Sequence, residues 1–306
     1  MSYPIILASP PSAPPVAVEQ REGLTQEWVD STGVVWPLSD WTTGVTLDDR
    51  GVEGLDNPQL TMYRSESRGT PGHRRRGWRA KTREVFWPIF IYSDTSLEWL
   101  ARQRAFRSTI HPDREGIWRV TANGETRELP VSAVFDAAHT YDIDPMLEGW
   151  AQYGIEMEAA QPYWQGKAIR RGPWRAPDAV PFLPPGGGPP VRISSSSAFG
   201  SATVPNPGDV EAWGTWTVEG PLSSIALGVG AAIITVPFAL NAGQVLVIDT
   251  DPQHPSATRD GDDVTALLGL QDYAPVPSGA SVPLHVEATG SGWVTFDLVP
   301  LYFRAF

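Results

Sequence analysis

Residues 206–221 read NPGDVEAWGTWTVEGP and open a β-rich region in the last third of the chain. Asn-Pro-Gly is a turn signal, and the alternation that follows predicts a strand that contains Trp213 and Trp216. The stretch has no nucleophile beside a base and no spacing typical of metal ligands. It therefore favours a structural part of an assembly over an enzyme.

The composition is that of a folded protein with many turns. The chain has 306 residues, of which 41% are apolar and 19% charged, and it contains 29 Gly and 30 Pro. This length allows two domains with cores of their own, and frequent Gly and Pro suit short-stranded β folds. The 13 tryptophans supply the kind of apolar area that is enriched in cores and interfaces.

The residue types present disfavour several classes of site. The chain has no cysteine, which excludes disulfides, thiolate catalysis and Cys-ligated metals. The five histidines lie far apart, at 73, 111, 139, 254 and 285, and form no His-x-x-x-His pair. There is no Gly-x-Ser-x-Gly elbow and no phosphate-cradling Gly-Lys-Ser/Thr motif. We expect no enzyme activity, no cofactor and no resident metal.

The net charge of −12 is spread unevenly. Residues 1–190 hold 20 Lys and Arg against 24 Asp and Glu, whereas residues 191–306 hold 3 against 11. The molecule as a whole should not bind nucleic acid, and its second half should be distinctly acidic. No segment approaches the ~20 apolar residues of a membrane span, and the N-terminus lacks a signal-peptide pattern. We expect a protein made and assembled in a cytoplasm, with no membrane partner.

The pattern of turns predicts a mainly β fold in two domains. Residues 1–180 form the first domain, which begins with a Pro-rich arm at 1–20. A Pro/Gly/Ser linker follows at 181–199. Residues 200–306 then alternate as short strands between turns at 206–208, 241–243 and 277–279, which is typical of a β-sandwich.

The first domain carries clear local signals. Hairpins are predicted at 28–36 and at 116–134, the second around Asn123-Gly124. Strands are predicted at 85–92 and 149–160. One helix is predicted from Thr95, which caps its first turn, to Arg107, and its apolar face is expected to hold Leu97, Leu100 and Ala101. The first domain should therefore be a β-sandwich or barrel with one flanking helix.

Residues 61–83 form a basic run with a single acidic residue, Glu66. Such a run indicates either contact with an acidic partner, contact with DNA in a channel, or simply a solvated hairpin tip. The candidate interface residues are all arginines: Arg64, Arg68, Arg74, Arg75, Arg76 and Arg79.

Three further patterns carry candidate chemistry. Clustered aspartates at 249, 251, 260, 262 and 263 suit calcium, although their order does not match an EF-hand loop. The carboxylates at 142, 144, 156 and 158 include pairs that a glycoside hydrolase requires, although carboxylates on the surface of a strand are commonplace. Three second-domain tryptophans are candidates for stacking against sugar rings, unless they belong to the core: Trp213, Trp216 and Trp293.

The second domain resembles the C-terminal domain of siphophage distal tail proteins, the Dit family, often labelled minor tail proteins in phages of actinobacteria. The resemblance is carried by residues 200–204, 206–213, 216–221, 240–244, 248–252 and 298–306. In the first domain the 34–36 hairpin, the 51–54 bend and the 95–107 helix occur in a similar order. The family often has proline after the first tryptophan of its signature, where this chain has Gly214.

The resemblance implies a structural virion protein at the distal end of a long non-contractile tail. Members form a homo-hexameric ring that joins the tail tube protein to the hub and baseplate, near the tape measure protein. The first domain is then the ring-forming belt, and the second is a galectin-like β-sandwich that points outward. The basic run would meet an acidic neighbour, for which the acidic second domains of adjacent subunits are candidates. The alternative function is a carbohydrate-binding adhesion module of the host-recognition device.

Overall fold

The structure is a computed structural model that describes residues 23–48, 50–69, 71–134, 141, 143–175 and 202–306. The Pro-rich arm, the linker at 181–199 and Asp142 lie outside these residues. Within the described ranges, no helix is both long enough and apolar enough to cross a membrane.

The described residues are mostly strand, as the sequence predicts. The strands of the first half are β1 (Thr25–Val29), β2 (Val35–Pro37), β3 (Val45–Leu47), β4 (Leu60–Ser65), β5 (Arg74–Ala80), β6 (Arg83–Tyr92), β7 (Gly116–Ala122), β8 (Glu125–Val134), β9 (Trp150–Ala159), β10 (Trp164–Gln165) and β11 (Ile169–Arg175). The later strands are β12 (Ala202–Pro205), β13 (Gly214–Glu219), β14 (Leu222–Val229), β15 (Ala232–Val236), β16 (Val245–Asp249), β17 (Ser256–Arg259), β18 (Asp262–Asp263), β19 (Ser281–Gly290), β20 (Trp293–Leu298) and β21 (Leu301–Tyr302). The helices are α1 (Ser96–Arg107), α2 (Pro145–Glu148) and α3 (Thr265–Leu268).

The first half is a nearly closed, barrel-like antiparallel sheet. Its strand order is β2-β1-β7-β8-β9-β6-β3, and β10 pairs with both β8 and β21. In β9 every second side chain is buried and every other one is exposed. That alternation is the pattern of a sheet with one face on the core and one face in water.

Tryptophan rings form the centre of this first core. Trp28, Trp87, Trp118 and Trp164 are all buried, and their rings follow one another with centroid separations of 5.4, 5.3 and 5.0 Å. The first two contacts are edge-to-face, the arrangement that the charge distribution of aromatic rings favours. Much of the tryptophan content is therefore used to fill the barrel.

The second half is a β-sandwich. A six-stranded sheet, β11-β20-β13-β16-β17-β18, faces a four-stranded sheet, β12-β19-β14-β15. Trp216 and Phe296 from the first sheet share one core with Leu227 and Val286 from the second. Its likeness to galectins remains a prediction.

Two strands cross between the halves. β11 precedes the predicted linker, but it pairs with β20 in the six-stranded sheet. In the opposite direction, β21 follows the sandwich and pairs with β10 of the barrel. The predicted linker divides the chain in sequence only. β11 and β21 each form hydrogen bonds with a strand from the other side of the linker.

The local predictions for turns and strands are confirmed. Asn123 and Gly124 have positive φ values of 48° and 77° between β7 and β8, as a tight hairpin requires. Thr95 caps α1 by accepting a hydrogen bond from the Glu98 amide at 3.3 Å. The Glu98 carboxylate does not complete a capping box with Thr95, because it accepts from Ser93 Oγ at 3.1 Å instead.

The predicted apolar face of α1 is right only at Leu100, which packs against the barrel core, while Ala101 is exposed. Leu97 is 79% exposed, whereas Trp99 and Phe106 are the buried residues of the helix. Trp99 Nε1 donates to the carbonyl of Ile91 in β6 at 3.1 Å, which fixes the rotation of the helix on the sheet. Two large aromatic side chains, spaced about two turns apart, outweigh the smaller aliphatic stripe.

Candidate interaction surfaces

The basic run folds as an exposed two-stranded hairpin. β4 and β5 pair with each other and with no other described strand. We refer to residues 60–80 as the basic hairpin. The six predicted interface residues all lie on its surface: Arg64, Arg68, Arg74, Arg75, Arg76 and Arg79.

None of these six arginines forms an ion pair with another described residue. Arg76 Nε donates to Ser65 Oγ at 3.0 Å, but that contact leaves its charge unopposed. Arg64 lies directly opposite Arg75 in the ladder. Like charges at directly opposed positions destabilise a β pair. The hairpin therefore holds positive charge against its own repulsion, which an anionic partner would relieve.

The basic hairpin also exposes apolar side chains. Leu60, Tyr63 and Trp78 are exposed, and the ring of Trp78 lies 5.7 Å from that of Phe303. Arginine with tyrosine and tryptophan is the composition typical of protein interfaces. This composition favours the predicted interface role of the hairpin, which stays a prediction.

Arg83 does not belong to the exposed run in which the sequence places it. It is 2% exposed, and its guanidinium donates to the carbonyls of Pro162, Gly54 and Phe303, each at 2.7 Å, and to the carbonyl of Asp56. Burial lowers the pKa of Arg83 to about 10, against the opposing attraction of Asp56 and Tyr163. At neutral pH the side chain is still charged and binds backbone from distant parts of the chain.

The acceptor at Phe303 makes Arg83 part of an anchor for residues 301–305. Arg127 lies 3.8 Å above the ring of Tyr302 and donates to the carbonyl of Arg304 at 2.7 Å. Ala305 is buried in the barrel core. The alternation of β6 was a usable signal for Arg83, because it shares the odd-numbered, inward parity of Val85.

A cleft of about 1040 Å³ lies between the barrel and the sandwich. Arg79 and Lys81 line it on the barrel side, and Glu211 and Asp251 line it on the sandwich side. Aromatic side chains reach it from both halves: Trp78, Tyr163 and Trp213. The cleft thus combines rings with polar groups of both signs.

The structure separates the three candidate sugar-contact tryptophans. Trp213 is half-buried and lines the cleft, and Trp293 is half-buried on β20 away from it. The prediction for Trp216 is corrected, because that ring is fully buried with its centroid 4.6 Å from that of Phe296. β13 begins after Trp213, at Gly214, so the two tryptophans do not share one strand.

Gly214 sits where the core leaves no room for a side chain. A Cβ atom built on it would overlap the ring of Phe296. The carbonyl of Gly214 accepts hydrogen bonds from the amide and hydroxyl of Thr250. This packing explains the departure from proline at this position, since a pyrrolidine ring would meet the same phenylalanine.

The clustered aspartates of the second half act mainly as turn acceptors. Asp249, Asp251 and Asp263 accept hydrogen bonds from the amides of Asp251, Gln253 and Thr265, respectively. The described part of the chain contains no group of three His, Asp or Glu residues arranged to hold a metal ion. The calcium hypothesis therefore gains no support from their geometry.

The described carboxylates considered for glycoside hydrolysis do not have the surroundings of a catalytic pair. Asp144 caps α2 by accepting from the Met146 amide at 2.9 Å. Glu156 and Glu158 are exposed on the outer face of β9. An acid catalyst of this type needs burial to raise its pKa, and neither glutamate has it.

Comparisons with known proteins identify the fold. No protein-family profile matches the sequence, and no curated protein matches it. Among solved structures, the Dit protein of phage SPP1, described as a paradigm of the hub adsorption apparatus of phages that infect Gram-positive bacteria, matches with a TM-score of 0.61 and 14% identity. That match covers 92% of this chain and 99% of SPP1 Dit.

Two structures of the phage P2 baseplate in its activated conformation, with calcium and with strontium, also match. Their TM-scores are both 0.55, with 10% and 11% identity, and each match covers 91% of this chain and 98% of the other. This chain has the distal tail protein fold. At these identities the similarity concerns the fold, and the Dit-like arrangement covers both halves together.

Proposed function

We propose that this chain is a structural protein of a bacteriophage tail tip, where it forms an adaptor ring between the tail tube and the hub of the baseplate. The observation that carries the proposal is the extent of the fold similarity, which spans 92% of this chain and 99% of SPP1 Dit. A general-purpose sandwich domain would match such a protein over one half only. A match of this extent includes both the barrel and the sandwich.

The ring is a homo-hexamer in this proposal, with the tail tube protein on one side and hub or tape measure proteins on the other. A closed ring needs two different surfaces on each subunit, because each copy contacts its neighbours head to tail. The basic hairpin supplies one such surface. The chain works in the virion without catalysis, after assembly in the host cytoplasm.

Antibody labelling of intact virions tests this function. Serum raised against residues 202–306, imaged by negative-stain electron microscopy, should label the distal end of the tail. Serum against the major capsid protein provides the matched control, since it should label heads alone. Label on the head or along the tail shaft, or no label on virions with an accessible tip, would reject the adaptor role.

A second candidate function, sugar binding, is favoured by the cleft. Trp213 and Tyr163 offer ring faces there, beside carboxylates that accept hydrogen bonds from hydroxyl groups. In this case residues 202–306 and the barrel would bind an oligosaccharide together. A glycan array probed with the full chain and with Trp213→Ala tests it, and Trp293→Ala is the control outside the cleft. Equal binding by wild type and Trp213→Ala would exclude the cleft as the site.

A further inference from the structure

The outer face of β6 and β9 is the second surface of interest, and we refer to it as the β6–β9 face. Even-numbered residues of both strands lie on this side of the sheet. Those of β9 are exposed; in β6, Glu84 is exposed, Phe86, Phe90 and Tyr92 are half-buried, and Pro88 is buried. Along the ladder, Tyr92 is opposite Trp150 at one end, and Glu84 is opposite Glu158 at the other. The face therefore changes from aromatic to acidic along its length.

The acidic end repels itself. Glu84 and Glu158 are directly opposed, and Glu156 is two residues further along β9 on the same side. None of the three forms an ion pair with a described residue, and Glu84 has one long contact, 3.5 Å, from Gln59 Nε2. Directly opposed like charges cost a sheet stability. A cationic partner would turn that cost into attraction.

The aromatic end is open to solvent. Trp41 is 55% exposed, and its ring lies 6.0 Å from that of Phe90 and 6.3 Å from that of Tyr92. The ring of Phe90 lies 5.3 Å from that of Trp150. Soluble monomers rarely expose contiguous apolar patches of this kind, and where they do, the patch marks an interaction site.

The basic hairpin has the complementary order. On one side of the hairpin, the exposed Leu60 and Trp78 lie toward the base, and Arg64 and Arg75 lie toward the tip. The hairpin strands have six and seven residues, about 20 Å at the usual rise of a strand, and fit within the nine residues of the face, about 30 Å. Each surface has a like-charged pair at one end, of opposite sign to the other.

The hairpin does not satisfy the face of its own copy. It leaves from the Glu84 end of β6 through Lys81 and Thr82, and in the described chain none of its arginines is paired with Glu84, Glu156 or Glu158. The acidic sandwich is a weaker acceptor, because several of its aspartates already accept hydrogen bonds from backbone amides of the sandwich. The occupant that fits the face is therefore the hairpin of a second copy.

We propose that the basic hairpin of one copy lies across the β6–β9 face of the next, with its arginines on the three glutamates and its apolar base on the aromatic end. The contact is head to tail, so repeating it closes a ring. This pairing rests on the proposed function, because the tail-tip role is the reason to expect a ring.

A charge exchange between the two surfaces tests the pairing. Arg64→Glu/Arg74→Glu/Arg75→Glu takes the net charge of residues 60–80 from +5 to −1, and Glu156→Lys/Glu158→Lys makes the face basic. Each variant alone meets like charge on like charge, and its self-association constant should fall by about 100-fold or more. Mixed in equal amounts, the two variants should associate again, because each hairpin then finds an opposite face on the other chain. Analytical ultracentrifugation of the full chain measures all three samples.

The control is Asp262→Lys/Asp272→Lys, which reverses two exposed carboxylates of the sandwich and should associate as wild type. The substituted positions are exposed, and circular dichroism checks that each variant keeps its fold. If a variant misfolds, Gln substitutions at the same positions replace it, and they should weaken association by about ten-fold. A monomeric wild type, variants that associate normally, or a mixture that stays apart would overturn the pairing. Loss of association in the sandwich variant alone would transfer the contact to the second half. None of these results bears on where virions are labelled, so the pairing and the tail-tip role fail separately.

Discussion

Replacing Arg83 by methionine should destabilise the protein and loosen its last residues. Methionine keeps much of the volume of the side chain, but it removes the charge and its donors. Of the four carbonyls that Arg83 contacts, the one at Gly54 keeps a second donor, Trp164 Nε1 at 3.2 Å. The carbonyls of Asp56, Pro162 and Phe303 lose theirs.

The magnitude follows from two opposing contributions. Three carbonyls left without a donor cost about 2 kcal/mol each, roughly 6 kcal/mol together. Burial lowers the pKa of Arg83 from 12.5 to about 10, and removing the buried charge returns roughly 3 kcal/mol. The net loss in the free energy of unfolding should be about 3 kcal/mol, which lowers Tm by about 6 °C in a protein of this size.

Thermal unfolding and hydrogen exchange measure the two effects together. The Ala305 amide, which donates to the carbonyl of Leu55 at 2.8 Å, should exchange faster in Arg83→Met, whereas the amide of Val218 in β13 should not. The matched control is Arg79→Met, which removes an exposed arginine from the preceding strand, β5. It should change neither the Tm nor the exchange rate of the Ala305 amide. A loss below about 1 kcal/mol, or unchanged exchange at Ala305, would refute the anchoring role.

Three smaller predictions follow from other residues. Gly214→Ala should lower Tm because its Cβ meets the Phe296 ring, and adding Phe296→Leu should recover part of the loss, as measured by calorimetry. Burial opposes ionisation of Asp30, but hydrogen bonds from Thr32 and the next residues outweigh it and lower the pKa of Asp30 below 3.8. The stability difference between wild type and Asp30→Asn should therefore be full above pH 5 and fade as pH falls below 3.8, in urea titrations at each pH. Arg119→Met, which breaks half-buried ion pairs to carboxylates on the two neighbouring strands, should cost about 1 kcal/mol by the same titration.

Local chemistry made much of the fold predictable from the sequence. Asn123-Gly124 set a hairpin because both residues tolerate positive φ, and Thr95 set a helix start because its hydroxyl accepts an amide of the first turn. The inward or outward direction of the two tryptophans was harder to predict. Residues three apart in one strand would point to opposite faces, and the sequence does not show that β13 begins at Gly214, after Trp213. Leu97 was misassigned because packing on β6 selected Trp99.

Non-local pairing lay beyond the sequence patterns. Nothing in residues 169–175 shows that they pair with residues 293–298, more than a hundred positions later. The same holds for Arg83, whose acceptors range from Gly54 to Phe303. Of the candidate sites, the hairpin arginines were identified by composition, whereas the β6–β9 face became visible only when the ladder register placed Glu84 opposite Glu158.

The return of β21 to β10 ties the folding of the barrel to the order of synthesis. The barrel strands are translated first, yet β10 has no partner on its β21 side until residues 301–302 emerge from the ribosome. During that interval β10 has an unpaired edge. Chains that are being synthesised on the same mRNA have the same unpaired edge, and each later provides a β21 strand that could pair with the β10 of another chain. This topology thus opens a route to misfolding in which chains exchange residues 301–305.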